Sequence, residues 1–300
     1  MISLTILGNN SALPAFGRFP TAQVLQNQDN SFLIDCGEGT QMQLSKYKIK
    51  RSKITHIFIS HLHGDHYFGL VGLLTSMSLL NRTQELHVFG PAPLEAIIKM
   101  QLDAGEVNLS YQLFFHALTT SGMIANTNKM EVSCFPVNHR IACWGFLFKE
   151  KKNPRTVVPE NARNFEIPAS FYEQLQKGAD YVNKKGTIIP NDAVTIANTA
   201  AKSYAYCADT IFDEGLAEVV RGVDLLYHET TYLKDQENKA KERFHSTSVQ
   251  AATLASLANV KQLIIGHFSS KYENIEPFLT EAKTVFERTA LAIDGSCFKV

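Results

Sequence analysis

The segment Ser60–His66, with the sequence SHLHGDH, concentrates side chains that can bind metal ions. Within six residues it contains His61, His63, Asp65 and His66, directly after an apolar, strand-like run. Imidazole and carboxylate groups are ligands of zinc and similar divalent ions. One zinc ion does not need all four, so the segment predicts a two-metal site with ions roughly 3.5–4 Å apart, as hydrolytic metalloenzymes use. A solvated histidine-rich loop is the alternative, and the density of ligand types argues against it.

Two ions require more ligands than this segment supplies. His139, Asp209 and His267 each follow a strand-like run further along the chain. Taken singly, each is as readily an ordinary polar residue of the surface or core. Together with the first segment they provide five imidazoles and two carboxylates, and a carboxylate such as Asp209 can bridge two ions, which a neutral imidazole does not do.

The elements that must position these residues alternate between strand-like and helix-like patterns. Polar residues recur where strand-like runs end, which is where open α/β architectures place their sites. Two other histidines, His87 and His116, lie in or beside apolar runs without a ligand-type neighbour, and we interpret them as structural. Asp35 is interpreted as a turn residue or as a carboxylate that orients a ligand. Helices are predicted over 67–80, 93–102, 246–258 (capped by Ser246 or Thr247) and 276–286.

The composition is that of an ordinary globular protein, with 300 residues, 45% hydrophobic and 19% charged residues and a formal net charge of zero. The neutral balance gives no global signature of nucleic-acid binding, so such a partner would have to meet a local basic patch. The five cysteines form no CxxC pair and indicate buried thiols in a reducing compartment. With no signal-peptide pattern and no apolar run of membrane-spanning length, the sequence predicts a cytoplasmic protein without a membrane partner.

The segment 150–190 interrupts the alternating pattern. It contains four prolines, seven basic residues and five acidic residues. An insertion of this length inside a compact domain is either functional or mobile. A solvent-exposed loop without a function would have the same charge content.

The metal-binding segment, followed by His139, Asp209 and His267, resembles the metallo-β-lactamase superfamily. Within it the chain resembles the ribonuclease Z family, the endonucleases that process tRNA 3′ ends. The finer matches are 35–41 (DCGEGTQ), 206–210 (YCADT), 228–231 (HETT), 245–247 (HST) and 266–272 (GHFSSKY).

The resemblance implies an α/β (α+β, four-layer) αββα sandwich. It implies one domain over 1–300, with 150–190 as an inserted, protruding arm that binds tRNA. It also implies two Zn²⁺ ions per subunit, with Mn²⁺ or another divalent ion as the alternative. By resemblance the ligands of one ion are His61, His63 and His139, those of the other are Asp65, His66 and His267, and Asp209 bridges the two.

The same resemblance implies catalytic roles for three residues. Asp65 is the expected general base, next to the attacking water. His245 is expected to protonate the departing ribose 3′-oxygen or to stabilise the phosphorane. Glu229 is expected to orient His245 by accepting its other N–H, since a carboxylate commonly fixes an imidazole in this way.

The activity implied is a zinc-dependent endoribonuclease that removes 3′ trailers from precursor tRNA and leaves a tRNA 3′-hydroxyl and a 5′-phosphorylated trailer. Family members are homodimers in which one subunit's arm serves the other's site. A phosphodiesterase or small-ester hydrolase of the same fold is the first alternative. A non-catalytic RNA-binding or scaffold subunit is the second, and the complete ligand set argues against it. The expected substrate-binding residues are Arg18, Lys177, Lys184 and Lys185.

Overall fold

The structure is a computed structural model that describes residues 2–27 and 30–300. The chain divides into two compact units, which we call the core unit and the arm unit. The core unit comprises Met1–Thr127, Glu131–Phe148 and Lys202–Val300, and the arm unit comprises Asn128–Met130 and Lys149–Ala201.

Strands and helices alternate through most of the chain. The strands are β1 Ser3–Gly8, β2 Asn10–Ser11, β3 Ala22–Gln26, β4 Ser31–Ile34, β5 Ile54–Phe58, β6 Leu86–Pro91, β7 Leu113–Leu118, β8 Gly122–Asn126, β9 Met130–Val137, β10 Cys143–Glu150, β11 Thr156–Val157, β12 Tyr181–Val182, β13 Ile188–Ile189, β14 Thr195–Ile196, β15 Ser203–Cys207, β16 Leu225–Glu229, β17 Gln262–Gly266, β18 Phe268–Ser269, β19 Thr289–Leu291 and β20 Cys297–Lys299. The α-helices are α1 Thr40–Lys46, α2 Gly64–Tyr67, α3 Leu70–Leu79, α4 Leu94–Ala104, α5 Pro159–Asn164, α6 Tyr172–Gln176, α7 Asn191–Val194, α8 Leu216–Val219, α9 Glu237–Glu242, α10 Ser248–Leu257 and α11 Glu276–Lys283. Short 3₁₀ helices lie at Arg51–Lys53, Ala169–Phe171 and Lys234–Gln236.

Two seven-stranded sheets form the centre of the core unit, with strand orders β20-β1-β3-β4-β5-β6-β7 and β19-β17-β16-β15-β10-β9-β8. Their inner faces pack through aromatic rings: the Phe58 ring centroid lies 5.4 Å from those of Phe146 and Phe148. Full burial of such side chains stabilises the fold by roughly 1.5–3 kcal/mol each. The sheets are therefore joined by a dry, close-packed layer.

Helices cover the outer face of each sheet. Side chains of α1, α3 and α4 pack on the first sheet in one apolar cluster, and side chains of α8, α10 and α11 pack on the second sheet in another. The result is the αββα sandwich that the sequence predicts, so the fold prediction is confirmed.

The helix predicted over 67–80 is wrong in its extent, because the structure breaks it into α2 and α3 at Phe68–Gly69. The Gly69 N–H donates to the Cys36 carbonyl at 2.9 Å, and a Cβ on Gly69 would lie only 2.2 Å from the Gly37 oxygen. This close approach ties the turn to the loop after β4. At α10 the cap is Thr247, whose side chain and that of Gln250 form a reciprocal capping box.

The arm unit contains an apolar cluster of its own. The Asn191 side chain links its elements, since Nδ2 donates to the carbonyls of Leu175 at 2.9 Å and Ala179 at 2.8 Å. Strands β12 and β13 form a hairpin whose tip carries Lys184 and Lys185, both exposed. The buried members of the cluster are Ala162, Ile167, Leu175, Ile189 and Val194.

Asp294 gives the stability of the fold a pH dependence. Burial raises the pKa of Asp294 to about 6, against the hydrogen bond from the Phe19 N–H and the charges of Lys46 and Arg18. Because the folded pKa exceeds the ordinary value of 3.8, the stabilisation is complete below pH 3.8 and is lost as the pH rises through 6. We expect Asp294→Asn to increase the free energy of unfolding at pH 8 by on the order of 1 kcal/mol, a value reduced for partial solvent exposure.

Urea denaturation of Asp294→Asn and the wild-type protein at pH 4 and pH 8 measures this difference. Asp103→Asn, at an exposed position of α4, is the matched control and should leave the curve unchanged. Parallel pH profiles for wild type and Asp294→Asn would contradict the assignment.

Candidate metal centre

The ends of parallel strands bring the predicted ligands together. Strands β4 and β5 are parallel in the first sheet, and β15, β16 and β17 are parallel in the second. The segment Ser60–His66 lies beyond the carboxyl end of β5, Asp209 beyond that of β15 and His267 beyond that of β17, while His139 lies between β9 and β10. Carboxyl ends of parallel strands share one edge of a sheet, so residues far apart in sequence meet at one site.

The structure groups His61, His63, His139 and Asp209 around one point. His63 Nδ1 lies 3.0 Å from His61 Nε2 and 3.2 Å from His139 Nε2. Asp209 Oδ2 lies 3.6 Å from His61 Nε2. Four ligand atoms at these separations fit the tetrahedral shell of a zinc-sized ion, whose bonds are about 2.0–2.2 Å long.

A second group contains Asp65, His66 and His267. The Nε2 atoms of His66 and His267 are 3.3 Å apart, and Asp65 Oδ2 lies 3.3 Å from His267 Nε2. Asp209 Oδ1 approaches the same two nitrogens, at 3.5 Å from His66 and 3.3 Å from His267. Asp209 thus directs one oxygen to each group, as a bridging carboxylate would.

The outer ring nitrogens of two histidines fix which nitrogen carries the proton. His139 Nδ1 lies 2.9 Å from the Phe244 carbonyl, which only accepts, so Nδ1 donates and Nε2 holds a lone pair. His66 Nδ1 lies 2.7 Å from Asp35 Oδ2 and donates to it, which leaves the His66 Nε2 lone pair directed inward.

His267 follows the same pattern. Thr231 Oγ1 donates its proton to Glu229 Oε2 at 2.9 Å and accepts from His267 Nδ1 at 2.9 Å. The His267 Nε2 lone pair therefore also points into the site. Metal-binding histidines usually donate their outer N–H to a carboxylate, carbonyl or other acceptor in this way.

The electrostatics agree with this assignment. Burial lowers the pKa of His61, His63 and His139, so these imidazoles are neutral and their lone pairs are available. Burial opposes the charge on His66, but Asp209, Asp65 and Asp35 raise its pKa, so these three carboxylates favour positive charge at this ring.

The residues present fit a divalent metal. Lone pairs of neutral imidazoles facing each other at 3.0–3.3 Å repel unless a cation lies between them. Asp209 Oδ1 is buried and accepts no hydrogen bond from the described residues, which is costly for a carboxylate oxygen without a cation.

Asp35 supports the centre from between the sheets. It is fully buried, and its oxygens accept from Ser60 N at 2.7 Å, Ser60 Oγ at 2.9 Å, Tyr206 OH at 2.6 Å and His66 Nδ1 at 2.7 Å. This arrangement matches the interpretation of Asp35 as an orienting carboxylate. It holds both the loop after β5 and the His66 ring in place.

Backbone strain also concentrates at this site. Asp35, Phe244 and His267 have φ angles of 54°, 58° and 63°, in the left-handed region that favours glycine. Each such residue costs on the order of 1 kcal/mol, and residues of this kind gather where a site needs them. Here each strained residue either faces the ligand groups or holds the outer nitrogen of a histidine.

His245 and Glu229 form a hydrogen-bonded pair beside the ligand groups. His245 Nδ1 lies 3.0 Å from Glu229 Oε1, and the His245 ring centroid lies 5.3 Å from that of His139 and 5.5 Å from that of His267. Burial disfavours charge on both, yet the pKa of Glu229 is lowered by His245 and that of His245 is raised by Glu229. Each partner thus favours the charged form of the other, and His245 Nε2 is not engaged in this bond.

Two of the expected substrate-binding residues, Arg18 and Lys177, have polar partners within their own units. Arg18 donates to Asn10 Oδ1 at 2.9 Å and to the carbonyls of Tyr272 at 2.6 Å and Glu273 at 3.0 Å, so its guanidinium joins loops of the core unit. Lys177 forms an ion pair with Glu173 at 2.7 Å in the arm unit.

Sequence reasoning did not identify three residues that hold the site together: Ser60, Tyr206 and Thr231. Ser60 and Tyr206 donate to Asp35, and Thr231 joins His267 to Glu229. Ser60 directly precedes His61 and Thr231 lies two residues after Glu229 in the sequence, a signal that could have marked them. Tyr206 has no such signal, because its partner is 171 positions away.

The fold and the converging donors define a metal-dependent hydrolase of the metallo-β-lactamase fold. The chain is 42% identical to ribonuclease Z of Bacteroides thetaiotaomicron over 99% of its length and 95% of the relative's. It is 44% identical to ribonuclease Z of Cytophaga hutchinsonii over 99% of its own length and 96% of the relative's. The chain belongs to the ribonuclease Z family.

Solved structures and a family model add to this relationship. Human tRNase Z, short form, has a TM-score of 0.72 at 28% identity and is covered over 98% of its length by 99% of this chain. A metallo-β-lactamase fold protein of Bacillus subtilis, YhfI, has a TM-score of 0.71 at 17% identity, with 99% and 98% coverage, and shows the shared fold. Residues 2–288 also match a family model described as Anti-Pycsar protein Apyc1.

Proposed function

We propose that the protein is a metal-dependent endoribonuclease that removes 3′ trailers from precursor tRNA and leaves a tRNA 3′-hydroxyl. The observation that carries the proposal is the pair of ligand groups joined by Asp209, in a chain 40–44% identical to ribonuclease Z relatives over nearly its full length. The structural relative human tRNase Z is named for tRNA. The proposed product leaves the phosphate on the trailer.

The ligand assignment follows the geometry. His61, His63 and His139 would hold one ion, Asp65, His66 and His267 would hold the other, and Asp209 would contribute to both. Zinc suits the imidazole-rich shells, and Mn²⁺ is the alternative. Such ions lower the pKa of bound water and polarise a phosphoryl oxygen.

In this proposal, side chains of the protein carry out the proton transfers. Asp65 takes the proton from the attacking water in this mechanism, since its carboxylate belongs to the second ligand group and its Oδ2 accepts from the Ala12 N–H at 2.6 Å. His245 Nε2 donates a proton to the departing ribose 3′-oxygen. Glu229 is a positioning residue, because its contact with His245 Nδ1 keeps Nε2 turned toward the substrate.

The arm unit supplies a second contact with tRNA in this proposal. Lys184 and Lys185 project from the tip of the β12–β13 hairpin, whose turn is held by Asn183 Oδ1 accepting from the N–H groups of Lys185 at 2.9 Å and Thr187 at 3.0 Å. Exposed lysines at an ordered tip suit contacts with phosphates, which position RNA without reading its sequence. Lys177 is already paired with Glu173 and would contribute less.

A hydrolase of small phosphodiesters is the second candidate. The sequence also fits a family model whose description does not mention tRNA, and the ligand groups alone do not select a large substrate. The arm unit distinguishes the two candidates, because a small diester needs only the metal centre.

Replacing residues 152–200 with a short Gly-Ser linker tests the choice. We expect kcat/KM for a 3′-extended tRNA to fall about 100-fold, because remote binding energy is lost, whereas hydrolysis of bis(p-nitrophenyl) phosphate stays within threefold of wild type. The double substitution Lys184→Ala/Lys185→Ala should lower tRNA cleavage less, and Lys99→Ala, whose lysine pairs with Glu95 on α4, should have no effect. Unchanged tRNA cleavage by the shortened protein would favour the second candidate.

A homodimer is the proposed assembly. Large apolar side chains on α1, α3, α4 and the turn after α2 are exposed, and such a patch on one helical layer is typical of an interface. Sedimentation equilibrium of the purified protein should give twice the mass of 33.5 kDa, and a monomer at micromolar concentration would contradict it. The exposed residues are Met42, Phe68, Leu79, Leu80 and Met100.

The cytoplasm is the proposed compartment. The structure forms no disulfide among its five cysteines, four of which are buried, as suits a reducing environment. Within residues 2–27 and 30–300, no helix has the length and apolar character needed to cross a membrane. Cell fractionation with an antibody against the protein tests the assignment.

A further inference from the structure

A second concentration of charge lies outside the metal centre, in the segment Lys46–Lys53, which we call the basic segment. Five of its eight residues are lysine or arginine, and the sequence contains no Asp or Glu between Glu38 and Asp65. Because the whole chain has a formal net charge of zero, this excess of positive charge is local.

The basic segment forms one wall of a cleft with a volume of about 470 Å³, which we call the basic cleft. Lys48, Lys50 and Lys53 line it, together with residues of the paired strands β1 and β20. Polar and apolar groups line it in similar measure, and its charged groups are all lysines.

The cations of this wall are not neutralised. All three lysines are exposed, and none lies within 4.0 Å of a carboxylate in the part of the chain that the structure describes. Lys99 and Lys283, by contrast, are ion-paired with Glu95 and Glu287. Neighbouring unpaired cations repel one another, and an anion that binds between them relieves the repulsion.

The wall is ordered before any ligand binds. The Tyr47 N–H donates to Gln43 O at 2.9 Å and continues the hydrogen bonding of α1. The Tyr47 ring packs directly against Gly295, because a Cβ on that glycine would lie only 2.3 Å from the ring. Lys48 has a φ of 56°, a left-handed conformation that turns the chain sharply after α1. A cationic wall that is already formed binds a ligand without the entropy cost of ordering a loop.

The basic cleft lies away from the metal centre. The basic segment precedes β5, and the ligand segment Ser60–His66 follows it, so the two are separated by the full length of that strand. Five residues of strand span about 17 Å. A mononucleotide cannot reach both places, whereas the backbone of an RNA chain can.

We propose that the basic cleft binds the phosphodiester backbone of RNA at a distance from the scissile bond. The inference rests on the proposed function, which supplies RNA as the substrate. Unpaired lysines on an ordered wall recognise phosphates without reading bases, so the contact adds affinity and salt dependence but no sequence preference.

The test compares Lys50→Gln/Lys53→Gln with the control Lys99→Gln/Lys283→Gln, using the wild-type metal-loaded enzyme and a 3′-extended tRNA. For the cleft variant we expect KM to rise about tenfold with kcat within twofold of wild type. The slope of log kcat/KM against log salt concentration should become shallower by about 1.5. Lysine acetylation footprinting should show Lys48, Lys50 and Lys53 protected by the RNA.

Unchanged KM and salt slope in the cleft variant, with no protection of the three lysines from acetylation in the wild-type protein and with normal tRNA cleavage, would overturn this inference and leave the proposed function standing. If the wild-type protein does not cleave the transcript, the proposed function fails, and fluorescence anisotropy with the same uncleaved RNA decides the inference. Weaker binding by the cleft variant than by the control supports it, and equal binding overturns it.

Discussion

Asp65→Ala is expected to lower the rate of cleavage of a 3′-extended tRNA by roughly 10³-fold or more, because general acid–base catalysis alone contributes about 10²–10⁴-fold. Asp65 combines two functions in this site. Its Oδ2 lies 3.3 Å from His267 Nε2, within the second ligand group, and the carboxylate also takes the proton of the attacking water in the proposed mechanism. Removing it takes away one of the carboxylates that face the His66 and His267 imidazoles.

The measurement is a single-turnover cleavage assay in zinc or manganese, with metal content determined by mass spectrometry. Asp103→Ala, at an exposed position of α4, is the matched control and should cleave like the wild type. Cleavage by Asp65→Ala within tenfold of wild type, with two metals still bound, would remove Asp65 from the chemistry. Loss of one metal together with activity would assign the effect to ligation rather than to proton transfer.

The ligand set could be predicted because its signals are local. Six consecutive positions carry four donors, and the remaining donors stand where strand-like runs end, so neither required knowledge of the pairing of strands. The αββα fold followed from the same motifs through resemblance, and the structure confirms it. The helix after the metal segment was predicted too long, because the break at Gly69 depends on its contact with Cys36, which the sequence does not show.

Lateral contacts between strands could not be predicted. His87 and His116 were interpreted as lone histidines, and that isolation is wrong: His87 Nδ1 lies 3.0 Å from His116 Nε2, and the His87 ring stacks on His56 at 5.2 Å. These residues occupy adjacent parallel strands β5, β6 and β7, whose order and register decide which side chains meet. The bond from Tyr206 to Asp35 crosses between the two sheets and depends on their packing.

The full extent of the inserted segment could not be predicted from the sequence either. The sequence indicated 150–190, whereas the arm unit includes Lys149–Ala201 and the short piece Asn128–Met130. Its last strand, β14, pairs with its first, β11, so the unit closes on itself beyond residue 190. Two-residue strands carry too little periodicity to be recognised from sequence alone.

His245→Ala is expected to lower tRNA cleavage by roughly 10²–10³-fold, as the loss of a general acid typically does. The Nδ1 atom of His245 is held by Glu229 at 3.0 Å, and although burial opposes charge, the carboxylate raises the pKa of the imidazole and so favours the protonated ring. The proton on Nε2 is the one available to the leaving ribose oxygen. Glu229→Gln should reduce activity less, and the double variant should be little worse than His245→Ala, because both act through one proton.

Two substrates with different leaving groups distinguish the two roles considered for His245. A ribose 3′-oxygen needs a proton when it departs, whereas p-nitrophenolate leaves without one. If His245 is the general acid, His245→Ala should hydrolyse bis(p-nitrophenyl) phosphate within about fivefold of wild type while tRNA cleavage falls as stated. Equal losses on both substrates would show that His245 instead stabilises charge on the phosphorane, since that charge develops whatever group departs. His87→Gln, which changes a histidine outside the site, should affect neither substrate.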